Sequence, residues 1–397
     1  MKRILACVLP LMLVTALIAG SGGCQSTVTV TDTKTTTATQ TATTTATTTV
    51  TATPSATTSK PTTTTTTAPT TTPAATTRVI TDMYGRKVTV PAVINRVLAS
   101  GPVEMELVFM LAPDKLAGLA FTFNGAIPLV PDKYTKLPVV GGWFGTTTGN
   151  YETFIAANPD IILEGSSTNI AERQTKFGSI PVVGVDEGDL MFNYKAAITF
   201  LGDLLGVPQQ AADLVNYYTD ASLYVSSIVS QIPASSRVKV YYAEGKDGLS
   251  TDPLGSQHTA LMAFCGGSNV ASVALLPGMG QAAATMEQIL LWDPDMIIIG
   301  RGTQADLYKT VMTDPRWSTL RAVKNGKVFV RPDNPLSWFD GPPGPCQILG
   351  MYWMVNKLYP DQTKGLDLNS KIKEFYSKFL HYQLTDAQVT TLLANPS

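Results

Sequence analysis

The chain has 397 residues, with 29 basic and 30 acidic side chains, a formal net charge of −1 and 44% hydrophobic residues. That balance offers no basic stripe for nucleic acid, and beyond the N-terminal segment no apolar run is long enough to cross a bilayer. Partners must be recognised by local features rather than by a global field.

Lys2 and Arg3 precede an apolar run from Ile4 to Ile18, interrupted by Pro10 and Thr15. This is the layout of a secretory signal, too short to span stably. Ser21, Gly22 and Gly23 lead into Cys24, so residues 1–24 are expected to be a lipoprotein signal with Cys24 as the acylated residue. Ser21 stands where a lipobox usually carries Leu, which leaves a soluble secreted form as the alternative. One acyl chain anchors weakly, and stable attachment needs a second. Residues 25–77 are almost wholly Thr, Ala and Pro. They bury too little apolar surface to offset the entropy of ordering, so a disordered stalk of roughly 40 Å is expected, with or without sugars on its threonines.

Cys7 leaves with the signal, so the mature domain keeps Cys265 and Cys346. They either pair as a disulfide in an oxidising compartment or remain two buried thiols.

From Arg78 onward, roughly 320 residues exceed what one core usually fills, so two lobes are expected. In the first (78–189), the runs Arg96–Ser100, Leu116–Ala120, Asp160–Leu163 and Pro181–Val185 read as strands. Helices are expected at Met105–Leu111, Tyr151–Ala157 and Asn169–Phe177. Strands alternating with helices argue for a parallel sheet covered on both faces. A long helical stretch, 190–232, nicked only around Gly206 and Pro208, bridges to a second lobe (233–397). There Val238–Ala243, Met296–Ile299 and Lys327–Val330 read as strands, with helices at His258–Phe264, Met286–Leu291, Ala305–Met312 and Gln347–Leu358. A last helix should begin after Leu368. Lobes joined by one helix must bend it to close, so closure should be small.

Two stretches repeat: YETFIAANPDIIL (Tyr151–Leu163) and MEQILLWDPDMIII (Met286–Ile299) each run from an aliphatic helix through N/D-P-D into a strand. Together with ITDMYGRKVTVPAVINRVLAS (Ile80–Ser100), DPRWSTLRAVKNGKVFV (Asp314–Val330) and SWFDGPP (Ser337–Pro343), they resemble the extracytoplasmic solute-binding proteins for iron-siderophores, haem and cobalamin. The resemblance covers Arg78 to about Tyr382. It implies an α/β fold of two Rossmann-like lobes joined by one rigid helix, with the ligand in the cleft. It also implies a function: capture of an iron, nickel or cobalt chelate, or a corrinoid, by a monomer for the permease dimer and ATPase of an ABC importer, outside the cell membrane or in a periplasm. No tightly bound cofactor is expected.

Two glutamates, Glu172 in AERQ and Glu287 in MEQI, resemble the family's docking carboxylates, one per lobe, that meet arginines of the importer. The alternative is that both are ordinary solvated helix charges. Ligand contacts are expected beyond the C-terminal ends of the strands. Trp143 and Phe144 sit on a glycine-rich turn and are followed by Tyr151; at least one of the two aromatics should pack into the core. Trp338 is expected to line the cleft and Asp340 to bind or brace the ligand. Arg301 follows a strand directly, suited to an anionic group or to a surface ion pair. His258 follows a strand-to-helix loop and is either an axial ligand to a chelated metal or a hydrogen-bonded core or capping residue; His381 is expected to be structural.

Gln281 stands where the cobalamin-binding relative has a tryptophan, which argues for a smaller or more polar chelate than a corrin. Free zinc or manganese would need several His and carboxylate ligands. A surface-tethered α/β enzyme is the reading from another class. Gly278–Ala283 fits a dinucleotide pattern without a strand to feed it, and the chain has no G-x-S-x-G, H-E-x-x-H or P-loop. A structural adhesin would explain the stalk but not two lobes.

Overall fold

The N/D-P-D repeat builds the same local device in both halves. Asn158 and Asp293 leave their helices in the left-handed region, at φ 48° and 39°, where short polar side chains are tolerated. The aspartate two residues on then ties down the start of the neighbouring strand. Asp160 accepts from the backbone N–H groups of Asn95 at 2.6 Å and Arg96 at 2.9 Å, and Asp295 accepts from that of Lys239 at 3.0 Å. The sequence repeat is thus a structural one.

The computed structural model describes residues 76–186, 194–275, 281–300, 304–341 and 343–396. The signal, Cys24, the stalk to residue 75 and Arg301 lie outside them. The strands β1 (Thr77–Thr81) and β2 (Lys87–Pro91) form an antiparallel opening hairpin. The first sheet is parallel, in the order β3 (Val97–Ala99), β4 (Ile161–Glu164), β5 (Val182–Gly184). Its helices are α1 (Pro102–Leu111), the single turn α2 (Asp132–Thr135), α3 (Tyr151–Ala156) and α4 (Ile170–Phe177). The run at 116–120 is not a strand. Leu116 bridges Val97 and Leu119 bridges Val139, two different partners, so no continuous ladder forms.

The stretch expected as one helix over 190–232 is a helical hairpin where it is described. Gly206 at φ 72° and Pro208 at the first helical position break it into α5 (Tyr194–Leu205) and α6 (Pro208–Val229). The two pack closely: the rings of Tyr194 and Tyr218 are 6.4 Å apart, and a Cβ on Gly202 would meet that of Ala211 at 2.3 Å. Only α6, about 33 Å long at 1.5 Å per residue, leads on to the second half.

The second sheet is also parallel, in the order β11 (Val328–Val330), β10 (Met296–Ile299), β6 (Lys239–Ala243), β8 (Ser268–Asn269). A short antiparallel pair, β7 (Ser250–Thr251) and β9 (Ala282–Ala283), lies beside it in sequence. Helices α7 (Ala260–Phe264), α8 (Met286–Trp292), α9 (Gln304–Thr313) and α10 (Arg321–Lys324) belong to this half, followed by α11 (Gln347–Leu358), α12 (Leu368–Phe379) and α13 (Asp386–Leu393). The last was not anticipated, although Thr385 and Gln388 form a capping box that marks its start.

One hydrophobic core runs through both halves. It includes Phe109 of α1, Leu201 of α5, Tyr217 of α6, Trp353 of α11 and Phe375 of α12. Smaller clusters cover the other side of each sheet, around Phe154 and Phe177 in the first and around Leu307 and Trp317 in the second. The halves are also joined at Asn334: its Oδ1 accepts from the Leu129 N–H at 2.8 Å and its Nδ2 donates to the Ile127 carbonyl at 3.1 Å. Cys265 and Cys346 are free thiols in this core, so the disulfide alternative fails. Burial pushes both thiols well above their usual pKa, which makes them unreactive. His381 is structural, its Nε2 lying 2.8 Å from the Phe109 carbonyl oxygen.

Candidate functional site

At the C-terminal end of β6 the alternation of the strand places Tyr242 and Glu244 on one side. Gly300, at the end of β10, has to be a glycine there: an added Cβ would lie 2.6 Å from the Tyr242 ring and 2.7 Å from Glu244. Around this point the second half gathers buried ionisable groups. Asp340 accepts from the Tyr242 hydroxyl at 3.2 Å through Oδ2, and its Oδ1 lies 2.6 Å from His258 Nδ1. Asp252, just past β7, accepts from the Ser256 hydroxyl at 2.8 Å, and the same hydroxyl caps the turn by accepting from the His258 N–H at 3.2 Å. One donor atom each from Asp252, His258 and Asp340 lies within 4.8 Å of the others. Glu244 accepts from the Gln281 side chain at 3.2 Å.

Asp340 is held by its own loop. The Ser337 hydroxyl donates to the Asp340 carbonyl at 2.6 Å and accepts from the Asp340 N–H at 3.1 Å, while Arg331 donates to it from the other side. Asp340 therefore braces the His258 ring, as a carboxylate does behind a metal-ligating imidazole. The cluster holds two aspartates, a glutamate and one histidine, all buried, a donor set suited to a metal or another cation.

On the first half, β4 ends in Glu164, which is paired at 3.2 Å with Arg173 of α4; both side chains are buried. Arg173 also lies 3.9 Å above the Trp143 ring and donates to the Tyr151 hydroxyl, which in turn donates to Glu172 at 3.0 Å. A Cβ on Gly149 would sit 2.7 Å from the Trp143 ring, so this indole has neighbours from its own half and packs with Phe154 and Phe177. Phe144 packs against Phe121 with ring centroids 6.3 Å apart. Both aromatics are thus used largely in packing.

Trp338 does not line a cleft. It is fully buried in the common core, 6.3 Å from the Tyr376 ring, because the loop that presents Asp340 turns the tryptophan inward. His258 and Asp340, singled out separately in the sequence, are brought together, whereas Arg301 lies outside the described residues. The sequence reading missed Asp252, Glu244, Tyr242, Glu164 and Arg173; the short spacing from Asp252 to His258 was the one signal available.

Glu172 and Glu287 are both exposed and both in the first turns of their helices. The repeat, however, pairs Glu287 with Glu152. Each is the second helical residue, behind Asn150 or Thr285, whose side chain accepts from the third. The helix start holds the Glu287 carboxyl below its usual value, through its own backbone N–H and Thr285. Glu172 is engaged within its own half, by Tyr151 and at 3.7 Å by Arg173.

Comparison with known proteins places this geometry. A family model for periplasmic binding proteins matches residues 130–335. The molybdate-binding protein MolA of Haemophilus influenzae is 25% identical over 332 residues, covering 76% of this chain and 90% of that protein. Among solved structures, an ABC transporter solute-binding protein from Sulfurospirillum deleyianum superposes with a TM-score of 0.73 at 30% identity, over 79% of this chain and 98% of that one. The molybdate-bound structure of Haemophilus influenzae MolA superposes with a TM-score of 0.64 at 23% identity, over 78% of this chain and 99% of that one.

Removing Arg173 leaves Glu164 buried without its partner, so Arg173→Met is expected to cost about 3 kcal/mol in denaturant unfolding. Adding Glu164→Gln should recover most of that loss. An Arg173→Met protein as stable as the parent would show that the pair is not holding the end of β4.

Proposed function

The chain belongs to the periplasmic binding protein family and is the extracytoplasmic solute-binding protein of an ABC transporter, and we propose that its ligand is a compact chelate of iron, nickel or cobalt. The observation that carries this reading is the buried, histidine-bearing acidic cluster at the end of β6: Asp252, His258 and Asp340 converge there, with Glu244 beside them. Such a cluster attracts a metal complex that keeps positive charge or an open coordination position. With Asp340 on Nδ1, coordination falls to Nε2 of His258. A corrinoid fits less well, since Trp338 is in the core and Trp143 is covered by its own half. The protein binds and hands on its ligand without altering it, as its family does. Acylation at Cys24 would keep it on the membrane, with the stalk as tether.

Docking on the permease is assigned to Glu152 and Glu287, one carboxylate per half in equivalent helix starts. Carboxylates so placed suit paired guanidinium forks on a partner.

A second reading follows from the likeness to MolA, a molybdate-binding protein: the ligand would be a tetrahedral oxyanion. The described acidic groups oppose it, since Glu104 also folds back over the start of α1, its Oε2 lying 2.8 Å from where a Cβ on Gly101 would be.

Thermal melts of the purified protein with nickel–histidine, a ferric catecholate, a corrinoid and molybdate separate the readings. A ligand at 100 times its Kd adds about 2.7 kcal/mol of stability. A nickel or ferric chelate should give that shift, and His258→Ala should weaken it at least about tenfold, the loss of one charge-assisted contact. Stabilisation by molybdate alone would leave the transporter role standing and replace the chelate with the oxyanion.

In vesicles carrying the permease and ATPase, Glu152→Ala with Glu287→Ala should abolish ligand-stimulated ATP turnover while ligand affinity is unchanged. Glu172→Ala with Glu287→Ala should lose clearly less. The reverse order would move the docking role to Glu172.

A further inference from the structure

Between α13, the C-terminal tail, the end of β11 and the segment around Ile127 lies a cavity of about 620 Å³, a size that takes a small organic molecule. It is separate from the acidic cluster, since none of Tyr242, Glu244, Asp252, His258 or Asp340 lines it. Its walls are pinned by two asparagines. Asn334 clamps the Ile127 segment through the two bonds given above. Asn395 accepts from the Val330 N–H at 3.0 Å and donates to the Val328 carbonyl at 2.8 Å, fastening the tail along β11.

Opposite charges line this space two residues apart. Arg331 is only 5% exposed; it donates to Ser337, but its Nε has no acceptor among the described residues. The carboxyl of Asp333 is pushed up by burial, with attraction to Arg331 acting the other way. The amide nitrogen of Gln304 is a further buried donor without an acceptor among the described residues. Ile127, Leu129 and Leu392 supply apolar lining to the same space. Ile127 is 79% exposed, an apolar side chain at the rim with little to cover it. A buried guanidinium selects a carboxylate, a nearby carboxyl selects an ammonium, and the aliphatic rim takes an apolar side chain.

We propose that this cavity is a second ligand site, distinct from the transport site, and that it binds an apolar α-amino acid with its carboxylate on Arg331, its ammonium on Asp333 and its side chain against Ile127 and Leu129. Arg331 also holds Ser337 and through it Asp340, so it is left intact in the test. Asp333→Asn and Ile127→Trp alter the site from its two ends.

Isothermal titration of the mature protein with leucine, isoleucine and phenylalanine tests the assignment, with 4-methylpentanoate and isoamylamine as controls that carry one charge each. At least one amino acid should bind with 1:1 stoichiometry, and both controls should bind at least about tenfold more weakly, the loss of one charged contact. Asp333→Asn and Ile127→Trp should each weaken the amino acid about tenfold, while His258→Ala leaves it unchanged. No binding up to on the order of 10 mM, controls as tight as the amino acid, or binding that survives both cavity variants and is lost with His258→Ala would each overturn the proposal.

Discussion

The two sheets are held apart by a core they share. Phe109, Leu201, Tyr217, Trp353 and Phe375 come from five helices on both sides of the chain's midpoint and belong to one contiguous apolar cluster. Close-packed interiors do not deform continuously, so one half cannot swing far from the other without opening this cluster. Helix α6 crosses through the cluster, and Asn334 adds a polar pin between the halves. The relative placement of the strand ends is therefore largely fixed, so a ligand held between them would not have to order a hinge.

Against that rigid frame, the chemistry is concentrated where the frame ends. Burying a carboxylate is costly unless its oxygens are satisfied, and each acidic group at the strand ends has an identifiable partner: Arg173 for Glu164, Gln281 for Glu244, Ser256 for Asp252, and Tyr242 and His258 for Asp340. These are orienting contacts, and those of Asp340 join residues 82 and 98 positions apart in the chain. They suit recognition of a preformed ligand, and the family to which the chain belongs consists of solute-binding proteins rather than enzymes.

Much of the fold was legible in the sequence because its signals are local. The N/D-P-D repeat announced two equivalent halves, apolar runs marked the buried parallel strands, and α11 and β10 lie where their patterns put them. What failed depended on which side chains meet once the chain is folded. Whether Gly206 and Pro208 merely bend a helix or fold it back is decided by the Gly202–Ala211 contact, which no helical period reports. An aromatic on a glycine-rich loop gives no sign of which way it faces, so Trp338 was placed in a cleft when it is core. His258 and Asp340 are 82 residues apart; each was singled out, but their pairing was not readable. The match of Glu152 to Glu287, on which the proposed docking pair rests, follows from the repeat itself.

The central claim is that the halves keep their spacing while a ligand enters between them. Spin labels at the exposed positions Lys176 and Leu291, one in each half, allow the inter-half distance to be measured by pulsed dipolar spectroscopy with and without ligand. The shared core predicts a shift of about 2 Å or less, the scale of packed elements sliding rather than hinging. A ligand-dependent shift on the order of 10 Å would contradict it, because halves that travel so far cannot share one core.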